Sequence, residues 1–464
     1  MRVLLVSPIK DVPLAEAPPM GLGYLATSLK RNGYDVNILD CSREKMNFDD
    51  FKRYISSSNY DVIGFTVFSD ALVNVKKSIE IIKKIKPDTL TIVGGPHPSA
   101  APEHTLTYLE ACDYAFRGEA ELTLPIFLKY VNDNDLDRLK KIQGLIWREN
   151  KKVESNEPSI HKEIDNFDPV AWDLIEPQKY HQPGSLAPKG WITIITSRGC
   201  PFRCTFCSVH VITGLHMRYR SINNVLQEIK YIDSNYKIRK FTIMDENFTL
   251  NKARVEEFCH KIMESGIKYQ FQLTNGVRLD TLTEDLLILM KRAGFSKRMA
   301  VGIESGSDRI LKMIKKNLSK EKVKEKIKLM NHVGFKPIGY FILGFPTETK
   351  EEMQETIDFA VSLKLYRASF TCFLPLPGTA IYHDLVQNGE LPPDFDFTFL
   401  TTDSVPYSPK GISRQDLLDI RKKAILKFHL RPRIIWDFMQ DYSSFRFATS
   451  KLINIFLRKR NAPE

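Results

Sequence analysis

The sequence predicts an α/β fold: a doubly wound, Rossmann-like N-terminal domain, a partial (β/α)6 barrel and a helical C-terminal extension. Three observations support this. The chain has 464 residues, too many for one ordinary core. Two series of short apolar runs alternate with helical patterns. The 43% hydrophobic and 27% charged composition is typical of a globular protein. We expect domains at 1–149 and 190–385, a linker at 150–189 and the extension at 386–464.

The first domain is predicted from five apolar runs separated by helical patterns, which indicate a parallel sheet with helices on both faces. Ligands of such sheets bind beyond the carboxyl ends of the strands, where Gly94-Gly95 would let the backbone approach a bulky ligand. A dinucleotide-binding fingerprint is not present, because Ala26 occupies its third glycine position. The five runs are Val3–Ser7, Val36–Asp40, Val62–Val67, Leu90–Gly94 and Tyr114–Phe116.

The segment that follows is predicted to connect two domains. A turn at Asn150–Lys152 indicates a small hairpin between residues 144 and 155. Proline-containing breakers then interrupt any periodic structure, and this composition predicts no catalytic role.

Three cysteines follow the buried strand that we predict at Trp191–Thr196. Cys200, Cys204 and Cys207 are separated by three and then two residues. Thiolates are the usual ligands of iron–sulfur clusters, and three of them leave one iron of a [4Fe–4S] cube free to bind a substrate or cofactor. The alternatives are a cluster of core thiols and a zinc site. His210 is the nearest further zinc ligand, but a second Cys-x-x-Cys pair is missing.

The second domain is predicted from six strand–helix units, which suit a partial barrel better than a closed eightfold one. Polar and glycine residues follow its strands, where the chemistry of such barrels is carried. Carboxylates, amides and hydroxyls placed there can bind an amino group and ribose hydroxyls, although each alone also fits a helix cap. These segments are Asp245–Asn247, Thr274–Arg278, Glu304–Ser307 and Gly344–Thr349.

The extension is predicted to be helical over Ser413–Phe428 and then rich in large apolar and basic residues, from Ile434 to Arg460. Such a stretch can lie on an anionic membrane surface or pack as a cap on the barrel. No run reaches the roughly 18 apolar residues of a membrane span, and the chain starts directly with a strand, so we expect a cytoplasmic protein. The net charge of +11 is spread over many helices, which favours a solvated surface over a nucleic-acid interface.

The cysteine spacing, with Phe206 before the last cysteine, resembles the signature of the radical S-adenosylmethionine (SAM) enzymes. The resemblance implies that Cys200, Cys204 and Cys207 hold a [4Fe–4S] cluster whose open iron binds SAM, and that reductive cleavage of SAM gives a 5′-deoxyadenosyl radical. It also implies an electron donor such as a flavodoxin or ferredoxin. No catalytic residue beyond the cluster cysteines is predicted. The SAM-binding residues that it implies are Phe206, Asp245, Glu246, Asn247, Asn275, Glu304, Ser305, Ile342 and Gly344.

The first domain resembles the cobalamin-binding domain of one subgroup of these enzymes, through Pro18–Leu25, Gly94–Pro98 and Gly118–Glu121. The chain lacks the Asp-x-His-x-x-Gly segment that supplies a lower axial histidine in better-known cobalamin proteins. We therefore expect His97 to cap a helix or line the pocket and not to bind cobalt. The cobalamin-binding residues that the resemblance implies are Met20, Gly21, Thr66, Ser69, Gly94, Gly95, His97, Gly118 and Glu119.

The resemblance implies a C-methyltransferase, because most of the subgroup passes a methyl group from methylcobalamin to an unactivated carbon. Two alternatives stay open. One is an oxidative cyclase or rearrangement enzyme with the same cofactors, and the other is a non-enzymatic sensor that binds a cluster and cobalamin. The expected substrate is a small or lipid-like molecule, and no nucleic-acid partner is expected.

Overall fold

The computed structural model of the protein describes residues 1–10, 17–180, 191–401 and 404–440. Its first sheet contains the five predicted strands and both strands of the predicted hairpin: β1 (Arg2–Ser7), β2 (Asp35–Asp40), β3 (Val62–Thr66), β4 (Leu90–Gly94), β5 (Tyr114–Phe116), β6 (Leu145–Glu149) and β7 (Lys152–Ser155). The strand order is β2-β1-β3-β4-β5-β6-β7, parallel up to β5 and antiparallel beyond it. β7 lies in the segment expected to be a linker, so the sheet extends past residue 149.

Helices cover both faces of this sheet. Alternate residues of β1 point to opposite sides, so Val3 and Leu5 belong to one apolar cluster while Leu4 and Val6 belong to another. The doubly wound arrangement predicted from the sequence is therefore present. The helices are α1 (Met20–Arg31), α2 (Phe48–Ser57), α3 (Leu72–Ile85), α4 (Pro96–Ala100), α5 (Pro102–Tyr108), α6 (Thr123–Asn132) and α7 (Leu136–Leu139).

The connector packs tightly between the domains. It contains the short helix α8 (Trp172–Ile175), and the Trp172 indole donates a hydrogen bond to Glu228 of the second domain at 3.0 Å. The Tyr180 hydroxyl donates to Asp40, at the end of β2, at 2.9 Å. Both side chains are 1% exposed, so the connector forms part of the core between the two domains.

The second domain contains all six predicted strands, in two three-stranded parallel sheets. Its elements are β8 (Trp191–Ile194), β9 (Ser197–Arg198), α9 (Val209–Ile212), β10 (Arg218–Tyr219), α10 (Ile222–Tyr236), β11 (Lys240–Ile243), α11 (Lys252–Glu264), β12 (Gln270–Leu273), α12 (Glu284–Arg292), β13 (Arg298–Glu304), α13 (Asp308–Met313), α14 (Lys320–Val333), β14 (Lys336–Leu343), α15 (Lys350–Ser362), β15 (Arg367–Cys372) and α16 (Ala380–Gln387). The two sheets are β8-β11-β12 and β13-β14-β15, and an isolated bridge between Val277 and Val301 continues the curve of the partial barrel.

The C-terminal extension is helical where the structure describes it. The predicted helix is present as α17 (Arg414–His429) and is followed by α18 (Pro432–Gln440). α17 packs on the barrel, where Arg421 donates to the carbonyl of Phe370 at 3.1 Å. In the described part of the chain, no helix has both the length and the apolar character needed to cross a membrane. The apolar and basic residues from Phe445 to Arg460 lie outside the described residues.

Candidate functional site

The three cysteines lie on the loop that leaves β9. This strand pairs antiparallel with β10, which closes the loop at its base. Gly199 has a φ of 94°, and a Cβ there would lie 2.3 Å from the carbonyl oxygen of His216, so this position requires glycine. Cys204 is buried, while Cys200 and Cys207 are half-buried, and all three thiols are free.

Residues 314–317, after α13, support this loop. The Thr205 amide donates to the carbonyl of Ile314 at 3.1 Å, and the Cys204 Sγ lies 3.9 Å from the carbonyl oxygen of Lys315. The Arg278 guanidinium lies 3.5 Å from the ring centroid of Phe202 and donates to the carbonyl of Lys316 at 2.9 Å. Sequence reasoning missed this support.

Burial raises the pKa of the Cys200 thiol, and it raises that of Cys207 to about 11. Both thiols therefore release protons when they bind a metal. His210, the candidate fourth zinc ligand, forms a hydrogen bond with the backbone of Cys207. Within the described ranges, no three His, Cys, Asp or Glu side chains form a group that could hold one metal ion. A cube binds one thiolate at each of several irons, which suits three thiols spread along one loop.

The carboxylate of Asp245, at the end of β11, accepts hydrogen bonds from other groups of the protein. Its carboxylate accepts hydrogen bonds from the Thr196 amide at 2.6 Å, the Thr196 hydroxyl at 2.5 Å and the Ser197 hydroxyl at 2.6 Å. Burial raises the pKa of Asp245, and these hydrogen bonds oppose the rise. Asp245 thus ties the end of β11 to the strand that enters the cysteine loop.

The next two residues differ in their partners: Glu246 hydrogen-bonds with Thr213, whereas Asn247 has no side-chain partner among the described residues. Asn247 is 2% exposed, and neither atom of its amide group has a hydrogen-bond partner in the described part of the protein. A buried amide without a protein partner is available to a polar ligand group or an ordered water. Burial raises the pKa of Glu246, whose negative charge in turn contributes to the raised pKa of the Cys200 thiol.

The next strand ends bring Asn275 and Glu304 toward the same region. The Asn275 amide donates to the carbonyl of Met244 at 2.9 Å, which links the ends of β12 and β11. Glu304 has a φ of 71° and accepts from the ammonium of Lys316 at 2.8 Å. The Ser305 hydroxyl is fully buried and hydrogen-bonds with Thr356 at 3.1 Å, so it holds backbone geometry.

The end of β14 reaches the cysteine loop through aromatic rings. The ring centroids of Phe206 and Phe345 are 5.6 Å apart, and the half-buried Ile342 packs in the same apolar cluster. The Gly344 amide donates to Glu348 at 2.7 Å. Of the SAM-binding residues that the resemblance implies, Phe206 lies in the cysteine loop and Glu246 lies near Cys200, whereas Asp245 and Ser305 are already hydrogen-bonded within the protein.

The carboxyl edge of the first sheet presents Thr66 and Gly94 on neighbouring strands. Gly95 has a φ of 106°, and a Cβ there would lie 3.0 Å from the Thr66 hydroxyl. The backbone at Gly95 therefore packs closely against the end of β3. Gly21 faces open space, with no atom within 4 Å of a Cβ built on it. Met20 is buried against the second-domain core. Gly118 has no such space, because a Cβ there would lie 2.2 Å from the carbonyl oxygen of Ser159.

Both ring nitrogens of His97 are occupied. Nδ1 hydrogen-bonds with the Ser69 hydroxyl at 2.9 Å, and Nε2 with Nδ1 of His104 at 3.1 Å. Burial and the neighbouring His104 lower the pKa of His97 to about 3. This neutral, fully bonded side chain lies in α4 and is not arranged to bind cobalt.

Glu119 joins the two domains. Its carboxylate binds Arg198 at 3.0 Å and Arg218 at 2.6 Å, and Glu121 binds Arg198 at 2.7 Å. Burial alone would raise the pKa of Glu119, but the guanidinium groups of Arg198 and Arg218 lower it. Arg198 also lies over the rings of Tyr24 and Phe167. The side chain of Glu119 is therefore used at the domain interface, where it binds Arg198, two residues before Cys200, and does not face open space.

The carboxyl edge of the first sheet also meets the helix that follows Cys207. A Cβ built on Gly378 would lie 3.0 Å from the Val211 side chain, in α9, and 3.1 Å from the carbonyl oxygen of Ala100, at the end of α4. Segments from both domains and from the end of the barrel thus converge beside the cysteine loop.

Comparisons with known proteins agree with this arrangement. A model of the radical SAM superfamily matches residues 194–360, and one of the B12 binding domain matches residues 7–128. An uncharacterized methyltransferase of Pyrococcus horikoshii is 33% identical over 96% of both chains. This chain belongs to the radical SAM enzymes with a B12-binding domain. The cofactors of this radical SAM enzyme are a [4Fe–4S] cluster, SAM and cobalamin, and its predicted fold class is confirmed.

Two further similarities concern this radical SAM enzyme as a whole. The radical SAM methyltransferase TsrM of Kitasatospora setae, solved with cobalamin and a [4Fe–4S] cluster bound, shares its fold with a TM-score of 0.68 at 19% identity, over 83% of this chain and 75% of that one. An anaerobic magnesium-protoporphyrin IX monomethyl ester cyclase of Cereibacter sphaeroides is 25% identical over 93% of this chain and 71% of its own length.

Proposed function

We propose that this enzyme transfers a methyl group to an unactivated carbon of a small-molecule substrate. The observation that carries the proposal is the contact of α4, at the proposed cobalamin edge, with α9, directly after Cys207. This contact supports a short distance between the proposed cobalamin edge and the cysteine loop. When bound, the cluster and SAM supply a carbon-centred radical, and cobalamin supplies the methyl group.

The residues of the second domain hold and orient the reactants. Cys200, Cys204 and Cys207 are the proposed ligands of the cluster. The orphaned amide of Asn247 and the half-buried carboxylate of Glu246 fit the amino group of SAM. Placing the reacting groups in this way removes much of the entropic cost of the reaction.

The first domain provides an open edge for cobalamin. Thr66, Gly94 and Gly95 line the end of adjacent strands, and Gly21 adds open space at the start of α1. Because glycine has no side chain, the backbone at Gly95 can come close to a large planar ligand. Because both nitrogens of His97 are engaged, we propose that no histidine of α4 binds the cobalt.

The test uses protein purified without oxygen and reconstituted with iron, sulfide and hydroxocobalamin. With SAM, a strong reductant and the substrate, product mass should rise by one methylene unit. Cyclisation, the function named for the cyclase relative, would give a different mass change, and a sensor would turn over no SAM. A product without added methylene contradicts methylation while leaving the radical chemistry intact.

The Cys204→Ala variant tests the cluster assignment within the same assay. We expect loss of cluster absorbance and of 5′-deoxyadenosine, because removal of one thiolate leaves the cube with two ligands from the loop. Cys112→Ala, at a buried thiol in the first domain, is the matched control and should keep both signals. Retained deoxyadenosine in Cys204→Ala would contradict the assignment.

We also propose a cytoplasmic location, because an oxygen-labile cluster suits a reducing compartment. A peripheral membrane contact is a separate proposal, supported by the exposed Ile435 and Trp436 of α18, which are 42% and 60% exposed. Removal of the residues after Arg431 should abolish co-sedimentation with anionic liposomes, and unchanged co-sedimentation would contradict the contact.

A further inference from the structure

The outer face of the cysteine loop is exposed and basic. We define this face by Arg203, within the loop, and by Lys312 and Lys315, at the end of α13 and directly after it; all three are exposed. None of the three forms a salt bridge with any residue in the described part of the protein. Three uncompensated cations thus surround one short stretch of surface.

This outer face lies next to Cys204, a proposed ligand of the cluster. The carbonyl oxygen of Lys315 is 3.9 Å from the Sγ of Cys204, and Arg203 precedes Cys204 in the chain. The amide of Thr205, on the other side of Cys204, donates to the carbonyl of Ile314 at 3.1 Å. An electron that arrives at this surface therefore has a short path to a buried thiolate.

The inner side of the loop lacks this excess of positive charge, because Lys316 pairs with Glu304 there and Glu246 adds a negative charge. Glu246 is near Cys200, and Glu304 lies at the end of β13. Lys316 turns inward, where it is 8% exposed and pairs with Glu304 at 2.8 Å. Near the outer face, Asp280 is bound to Arg278 at 2.9 Å and is thereby neutralised. The outer face is therefore suited to an acidic partner and the inner side to a different ligand.

We propose that the outer face of the cysteine loop is the docking surface for an acidic one-electron donor protein, which reduces the cluster through Cys204. In each encounter the donor loses one electron and the cluster gains one, and no atom is transferred. Complementary charge accelerates such encounters and makes them sensitive to salt. The proposal rests on the cluster chemistry of the family and is independent of methyl transfer.

The test is the rate at which a reduced flavodoxin, the acidic probe, reduces the reconstituted holoenzyme in a stopped-flow spectrometer at low ionic strength. Reversing both charges in Lys312→Glu/Lys315→Glu should slow reduction at least about tenfold, because steering by charge changes association rates by one to three orders of magnitude. The matched control, Lys52→Glu/Lys141→Glu, makes the same change in net charge at exposed residues of the first domain and should retain most of the rate.

A small neutral reductant, photoreduced deazaflavin, separates docking from damage to the cluster. It should reduce the wild type and all variants at equal rates, with equal iron content. Lys312→Gln/Lys315→Gln, which removes charge without reversing it, should give an intermediate rate with flavodoxin and a weaker salt dependence than the wild type. Equal slowing in the control pair, or an unchanged rate in both lysine variants, would overturn the proposal.

Discussion

Glu348 is a buried carboxyl group that holds the backbone beside the proposed SAM site. One carboxylate oxygen accepts from the amides of Gly344 and Phe345, at 2.7 and 2.9 Å. The other has no partner among the described residues, and burial raises the pKa of Glu348 to about 8. Through Phe345, which packs on Phe206, this residue helps to set the wall of the cysteine loop.

Replacing Glu348 by Gln should flatten the pH dependence of stability. The pKa is about 8 in the folded state against an ordinary 4.5, so between these values the folded protein keeps a proton that the unfolded chain releases. The stabilising contribution is complete below pH 4.5 and falls as the pH rises toward 8, by at most about 1.4 kcal/mol per pH unit. Denaturant unfolding from pH 5 to 8 measures this slope, and equal slopes in wild type and variant would contradict the account.

At the scale of elements, the cysteine loop depends on left-handed backbone conformations at its entrance and in the segment that supports it. Gly199 is left-handed at the entrance of the loop, and Lys315 and Asn317 are left-handed in the segment that supports it. Such conformations are uncommon for residues other than glycine and persist where the surroundings enforce them.

A Gly199→Ala variant should lose the cluster. Its Cβ would lie 2.3 Å from a backbone oxygen, which adds a clash to the cost of a left-handed alanine. We expect a destabilisation of about 3 kcal/mol and a large fall in iron content after reconstitution. Gly411→Ala is the matched control, because Gly411 has a φ of 82° and no atom within 4 Å of its Cβ position. Equal iron content in both variants would contradict this prediction, because it would mean that the loop accommodates the added Cβ without losing the cluster.

The elements themselves follow largely from local sequence. Apolar runs bounded by turn residues predict every strand of both series, and the stop of α1 follows from Asn32-Gly33, where Gly33 has a φ of 85°. The support under the cysteine loop does not follow, because Lys315 and Asn317 resemble ordinary surface residues. The use of Asp245 and Ser305 inside the protein also depends on long-range partners, which no local pattern indicates.

At the scale of the whole molecule, the two domains are joined at the base of the cysteine loop. Arg218 of the second domain is buried and Arg198 is 11% exposed, and both pair with the buried Glu119 or Glu121 of the first. The sequence predicts a ligand role for Glu119 because it lies beyond a strand end. In the structure its carboxylate forms ion pairs with Arg198 and Arg218 at the domain interface. The first domain is thus held by ion pairs to Arg198, which lies two residues before Cys200.

A double-mutant cycle on Arg198 and Glu121 tests this coupling. Arg198→Met should destabilise the protein by about 3–5 kcal/mol, because it leaves the buried carboxylate of Glu121 without its ion-pair partner. Adding Glu121→Gln to that variant should cost much less than Glu121→Gln alone, since the variant has already lost the partner of this carboxylate. Denaturant unfolding of the four proteins should give a coupling energy above about 1 kcal/mol, whereas distant sites add within about 0.5 kcal/mol. Additive effects would mean that the interface does not depend on this pair. Coupling together with weaker cobalamin binding in Arg198→Met would mean that the same contact aligns both cofactor sites.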